Sequence, residues 1–239
     1  GVYRRDIDIP QDWDNRDIFL SIDGAKSGVY VYVNGKEVGY SEDSKTSAEF
    51  KLNKYVKPGK NSLVIKIYRW STGSYVEAQD FWRISGIERD VFLWSQPKFA
   101  LRDFRVKSTL DDSYTNGIFE LETTIKNYTG GVGYGEVSYE LVDANGKTVL
   151  SDTKEVGVQS NGESAITFSG NIPNVETWTS EHPNLYKVLI TVKQDGVTKT
   201  EVVPYLVGFR RFEIKPVKTG DRIDRLFLVN GQPIKFKGV

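Results

Sequence analysis

Val29-Tyr30-Val31-Tyr32-Val33-Asn34-Gly35-Lys36-Glu37-Val38 is the stretch that decides the fold class. Valine at every second position, with tyrosine between, puts one apolar face on an extended chain, because successive strand side chains point to opposite sides. Asn34-Gly35 supplies the positive φ angles of a two-residue turn, and Val38 resumes the pattern on a returning strand. Working outward, the same turn chemistry recurs at Asp23-Gly24, Asn116-Gly117, Asn145-Gly146, Asn161-Gly162, Asp195-Gly196 and Asn230-Gly231. Between these pairs, Phe119, Leu121, Thr123 and Ile125 alternate with Glu120, Glu122, Thr124 and Lys126 as a half-buried strand requires. No window of about 12 residues or more carries a 3.6-residue apolar period, so the chain is predicted to be all-β.

Pro97 follows the strand that ends at Trp94, and a fresh alternation starts at Phe99, Leu101, Phe104 and Val106. The block 98–215 carries about seven short strands, the rhythm of an immunoglobulin-like sandwich. Residues 1–97 have more strands and longer connections, which predicts a jelly-roll sandwich. That sandwich is expected to be truncated at its N-terminus, since the first residues open directly on a strand pattern (Tyr3, Ile7, Ile9) with no methionine. Residues 216–239 are expected to form a linker, Lys215-Pro216 through Asp221, and a hairpin folded about Asn230-Gly231. Two strands alone are not stable in water, so the hairpin is expected to pack on the second sandwich and to lead into a further domain.

Composition narrows the function classes. Over 239 residues, 32 Lys+Arg balance 32 Asp+Glu, which removes the basic excess that nucleic acid or an anionic membrane calls for. No apolar run approaches the roughly 20 residues of a membrane span, and no charged, apolar leader opens the chain. Cysteine is absent, so disulfides, thiolate nucleophiles and zinc-thiolate sites are excluded, while either redox compartment is allowed.

The segment 68–94 is too polar for core and too aromatic for an ordinary loop, with Trp70, Trp82 and Trp94, three arginines and four carboxylates. It reads as a rigid loop presenting polar groups at a surface. Glu77, Asp80, Glu88 and Asp90 invite glycosidase chemistry, which uses two carboxyl groups roughly 5–9.5 Å apart. The competing and favoured reading pairs these acids with Arg69, Arg83 and Arg89 as a stiffening network. Trp82, beside Phe81 and Ile84, reads as core. The single histidine, His182, sits next to Pro183 in a surface loop, and one histidine without cysteine makes no familiar metal site. Asn127-Tyr128-Thr129 satisfies the glycosylation sequence, which matters only in a chain secreted by a eukaryote.

The run Tyr32 to Ser44, Ala48-Glu49-Phe50, Arg69-Trp70-Ser71 and Gly86 to Val91 resembles the sugar-binding jelly roll of glycoside hydrolase family 2, in its β-galactosidase branch. Trp178, Pro183-Asn184-Leu185-Tyr186 and Val207 to Ile214 resemble that family's immunoglobulin-like second domain. Leu228 to Val239 is similar to the lead-in to its catalytic (β/α)₈ barrel, which continues with Asn-Arg-His. The resemblance implies a retaining hydrolase of terminal β-galactosides whose two catalytic glutamates lie on the barrel, so that residues 1–239 hold no catalytic residue. A sugar-binding asparagine of the family also lies upstream of Gly1. Asp80, in Gln79-Asp80-Phe81-Trp82-Arg83, matches the aspartate that reaches from the jelly roll into the barrel's pocket and contacts the sugar and a sodium ion. A carboxylate suits both tasks. Arg69, Trp82, Arg83 and Arg89 would support that loop. Thr72 stands where an aspartate is frequent and Ala78 where the family often has another acid; both changes read as peripheral. No cofactor is expected in this stretch itself, with sodium and magnesium in the intact enzyme. The implied partners are a β-galactoside and the chain's own barrel, with no nucleic acid and no membrane; a homo-oligomer is compatible. A bacterial source, cytoplasmic or periplasmic, is expected. The alternative function is a stand-alone carbohydrate-binding or adhesive sandwich module, since a fold alone does not fix function.

Overall fold

Val29, Val31 and Val33 are 3%, 0% and 0% exposed, with Tyr30 and Tyr32 half-buried on the opposite face. Asn34 (φ 51°) and Gly35 (φ 80°) make the turn. In the computed structural model, residues 1–77, 82–198, 200–219 and 222–236 are described, and the chain divides into two units, Gly1–Lys98 and Phe99–Val239, each with its own core.

The first unit runs β1 (Val2–Ile9), β2 (Asp17–Ile22), β3 (Ala25–Lys26), β4 (Gly28–Val33), β5 (Lys36–Ser41), β6 (Ala48–Lys51), β7 (Gly59–Tyr68), α1 (Thr72–Val76), β8 (Gly86–Ile87) and β9 (Val91–Gln96). Its antiparallel sheets, β1-β7-β4-β5 and β6-β2-β9, sandwich one core, and β3 pairs with β8 at the margin. This is the jelly roll. Leu20 and Ile22 from one sheet meet Val31, Val33 and Ile65 from the other, all 4% exposed or less. At about 25 cal/mol per Å² of apolar surface removed from water, such contacts supply most of what holds the layers together.

The second unit runs β10 (Phe99–Leu110), β11 (Gly117–Asn127), β12 (Gly133–Val142), β13 (Thr148–Val158), β14 (Glu163–Ile172), β15 (Tyr186–Gln194), β16 (Glu201–Val207), β17 (Phe212–Thr219), β18 (Arg222–Val229) and β19 (Gln232–Pro233). Sheets β10-β11-β14 and β13-β12-β15-β16 form the immunoglobulin-like sandwich. Phe119, Leu121, Thr123 and Ile125 are all buried, as their alternation predicts. The Tyr139 ring is wedged between Phe119 and Phe168, with centroids 5.2 and 5.1 Å away, and burial pushes its hydroxyl pKa up. On the edge strand β16, Pro204 stands opposite Leu189; a proline fits the ladder there because an edge strand does not need every N–H.

Two expectations change here. Residues 212–219, in part read as a polar link, are strand β17, paired with β18 from Phe212↔Val229 to Thr219↔Arg222. Pro216 misled that reading, and it is tolerated because β17 lies at the edge of the sheet β17-β18-β19. The hairpin about Asn230-Gly231 exists, but β18 and β19 share only Leu228↔Pro233 and Val229↔Gln232. The β17–β18 pair is pinned to the sandwich by Tyr114, whose hydroxyl donates to Glu213 Oε2 at 2.6 Å and accepts from Lys215 Nζ at 2.8 Å. Arg211 bridges Asp112 at 2.7 Å and Glu213 at 3.0 Å. The second change is at Asn116-Gly117, which is no tight turn: Gly117 begins β11, and a Cβ there would meet the Phe209 ring at 2.9 Å. Glycine is needed at that position for close packing. Among the described residues, no helix is long and apolar enough to cross a membrane.

Candidate functional site: the aromatic loop of the jelly roll

The loop 68–94 grows from the end of β7 and returns to β9, and its two stems are held by different means. At the first stem, Ser27 Oγ donates to the carbonyls of Tyr68 (3.3 Å) and Arg69 (3.1 Å), and Ser71 Oγ donates to Ser27 Oγ at 2.9 Å. Ser71 then caps α1, its N–H donating to Ser74 Oγ at 3.1 Å, a local bond that starts a helix too short to stand alone. At the second stem, β8 pairs with β3, Ser85 Oγ donates to Lys26 O at 3.1 Å, and Glu88 N–H donates to Gly24 O at 2.9 Å.

Carboxylates complete the frame. Glu42 accepts from the Tyr40 hydroxyl at 2.6 Å and from the Gly73 N–H at 2.7 Å. Both bonds favour its charged form, and they hold its pKa below the ordinary carboxylate range, the Tyr40 bond contributing most. Tyr40 is pushed up to about 12, by desolvation first and the Glu42 bond second. Glu77 Oε1 accepts from Ser44 N–H at 3.1 Å, Glu88 pairs with Lys45, and Arg89 Nη1 donates to Lys45 O at 2.9 Å.

The predicted site residues therefore separate. Glu77 and Glu88 are engaged as struts, Asp90 is exposed, and Asp80 lies outside the described residues. Among the described residues, no ion pair joins Arg69, Arg83 or Arg89 to Glu77, Glu88 or Asp90. The stiffening network is real, but its partners are backbone groups and residues of other segments. Trp82 is not core: it is 76% exposed and Ile84 57%. In a loop without period, apolar neighbours in sequence do not share a face, so flanking Phe81 and Ile84 gave no information about burial. Trp70 and Tyr75 are also largely exposed, their rings 6.4 Å apart, and the Arg69 guanidinium lies 5.2 Å from the Trp70 ring. Lys26 Nζ donates to Trp82 O at 3.2 Å and, with Arg69, Arg83 and Trp70, lines a narrow crevice.

Sequence reasoning missed Glu42 and Tyr40 as anchors: Tyr40 lies on β5 and Glu42 one residue beyond its end. Among the described residues, no group of three or more His, Cys, Asp or Glu side chains could hold a metal. His182 is exposed in its loop. Asn127 is fully buried, donating to Gly131 O and Val158 O at 2.8 and 3.0 Å, which hides the acceptor side chain of the glycosylation sequence inside the fold.

Two β-sandwich units, the first carrying exposed aromatic side chains on an anchored loop, define an all-β class of protein. Sequence profiles specify it further. "Glycosyl hydrolases family 2, sugar binding domain" matches residues 1–97, and "Glycosyl hydrolases family 2" matches residues 99–210. The chain belongs to glycoside hydrolase family 2. The β-galactosidase of Priestia megaterium is 36% identical over 241 residues, covering 100% of this chain and 22% of that protein. The β-galactosidase of Halalkalibacterium halodurans is 39% identical over 239 residues, again 100% of this chain and 22% of that protein. The chain thus spans about a fifth of the length of these relatives. A Bacteroides uniformis β-glucuronidase has the same fold, with a TM-score of 0.85 at 23% identity, over 100% of this chain and 29% of the other.

Proposed function

We propose that these residues are the non-catalytic, N-terminal portion of a retaining β-galactosidase, shaping one wall of a pocket whose catalytic glutamates lie elsewhere in the polypeptide. The observation that carries the reading is identity of 36% and 39% to β-galactosidases over 100% of this chain, both sandwiches included. The β-glucuronidase likeness, at 23%, is one of fold only. In this reading Asp80 is the residue of this portion that contacts the galactosyl ring and a sodium ion.

The test is hydrolysis by the full-length protein of matched chromogenic β-galactoside and β-glucuronide. Preference for the galactoside by at least about 100-fold in kcat/KM, about 2.7 kcal/mol of transition-state discrimination, is expected. Equal or reversed rates would overturn the reading. Exposed Trp70, Tyr75 and Trp82 favour one rival, a sandwich that binds carbohydrate on its own by stacking. Saturable galactose binding by residues 1–239, without turnover by the full-length protein, would select that rival.

A further inference from the structure

We infer that Asn145, followed by Asn161, is a site of self-modification, its side-chain amide converted to a carboxyl by the chain's own backbone, whatever the activity of the intact protein. Asn34, Asn116, Asn145, Asn161 and Asn230 are each followed by glycine. That pairing is open to the reaction because glycine has no Cβ to shield its backbone nitrogen from the neighbouring side chain. By sequence the pairs are alike. In the folded chain their hydrogen bonds separate them.

Asn34, Asn116 and Asn230 are held at both ends of the amide. Asn34 Nδ2 donates to Tyr55 O and Asn61 Oδ1, and its Oδ1 accepts from Ser62 N–H. Asn116 Nδ2 donates to Asp111 Oδ2 at 2.8 Å, and its Oδ1 accepts from Asn174 N–H at 3.2 Å. Asn230 Nδ2 donates to Trp178 O at 3.0 Å, and its Oδ1 accepts from Arg211 N–H at 2.9 Å. Asn161 has one long bond, from Nδ2 to Ser160 Oγ at 3.5 Å. Asn145 is exposed, and among the described residues its backbone N–H is engaged, donating to Asp143 Oδ1 at 2.9 Å, while its side chain is not. Asp143 Oδ1 also accepts from Lys147 N–H at 2.9 Å. An aspartate side chain thus holds the turn between β12 and β13, which leaves the Asn145 amide loose above Gly146.

The attacking atom is Gly146 N. Its N–H donates to Asp143 O at 3.1 Å, whereas Gly162 N–H donates to Gln159 O at 2.8 Å, so the longer and weaker bond has to open at Asn145. Hydroxide takes the Gly146 amide proton, and the nitrogen then attacks Asn145 Cγ. The new C–N bond forms as Cγ–Nδ2 breaks, and the departing nitrogen takes its proton from water and leaves as ammonia. Water next opens the cyclic imide. Cleavage at Cγ gives aspartate, and cleavage at the backbone carbonyl gives isoaspartate. Because the turn does not use the Asn145 side chain, the product accumulates in folded molecules as a negative charge beside Asp143.

Peptide mapping by mass spectrometry of the full-length protein, held folded in mildly alkaline buffer, tests this. Aspartate and isoaspartate are expected to form from Asn145 at least about tenfold faster than from Asn34, Asn116 or Asn230, the factor set by breaking their side-chain hydrogen bonds first. Asn161 is expected to fall between. In concentrated urea the ranking should collapse, since the bonds that impose it are gone. Equal rates in the folded protein, or a ranking that survives urea, would overturn the proposal. An Asn145→Gln variant is expected to lose the first acidic species seen on isoelectric focusing of the aged protein, and persistence of that species would overturn it as well.

Discussion

One carboxylate, Glu42, ties strand β5 to the first turn of α1 through Tyr40 and Gly73. Its depressed pKa gives a signed expectation: the stabilisation is present above the ordinary carboxylate range and is lost as pH falls through the folded value. A Glu42→Gln variant should therefore have a lower urea midpoint than the wild type at pH 7 and should converge with it in acid; a constant gap across pH would count against this anchor. Tyr40 behaves in the opposite sense, because its neutral form is favoured on folding. Its contribution is full below about pH 10 and declines toward about pH 12, readable as a pH-dependent loss of the difference between wild type and Tyr40→Phe. Trp82 makes a third case at this scale. Being 76% exposed, it should tolerate Trp82→Ala within about 0.5 kcal/mol of unfolding free energy for residues 1–239, whereas a core tryptophan would cost several times more.

At the scale of elements, the β4–β5 hairpin was legible because two independent signals agreed, the period of two and the Asn-Gly turn. The turn does more than reverse the chain. Asn34 Nδ2 donates to Tyr55 O (2.9 Å) and Asn61 Oδ1 (2.8 Å), and its Oδ1 accepts from Ser62 N–H (3.0 Å). Asn34→Gly keeps the positive φ but loses all three bonds, so a loss of roughly 2 kcal/mol in urea unfolding is expected; a change near zero would mean that backbone conformation alone selects asparagine. Where signals conflicted, the reading failed. Pro216 looked like punctuation because sequence does not reveal which strands are edges, and Asn116-Gly117 looked like a turn because steric need at Phe209 leaves no periodic trace. The helix α1 was missed since five residues are too few to show a period. In the loop, the carboxylates were seen but not their partners, as those partners are backbone amides and residues on other segments.

At the scale of the molecule, two cores of ordinary apolar composition carry two sandwiches, and catalysis is assigned to neither. Residues 1–239 alone are expected to leave a chromogenic β-galactoside unhydrolysed, and galactose is not expected to saturate them at millimolar sugar; measurable turnover would show catalytic groups within the chain. One small feature has consequences for handling the protein in bulk. Strand β16 ends its sheet and carries exposed Val202, Tyr205 and Leu206, yet Pro204 interrupts its row of donors. Without that interruption the strand would offer a continuous apolar template for stacking molecule on molecule. Pro204→Val should shorten the lag before thioflavin-positive fibres form in a concentrated solution, while the wild type stays clear. The imino acid is thus expected to act as a guard on shelf life, its benefit falling on the crowded solution.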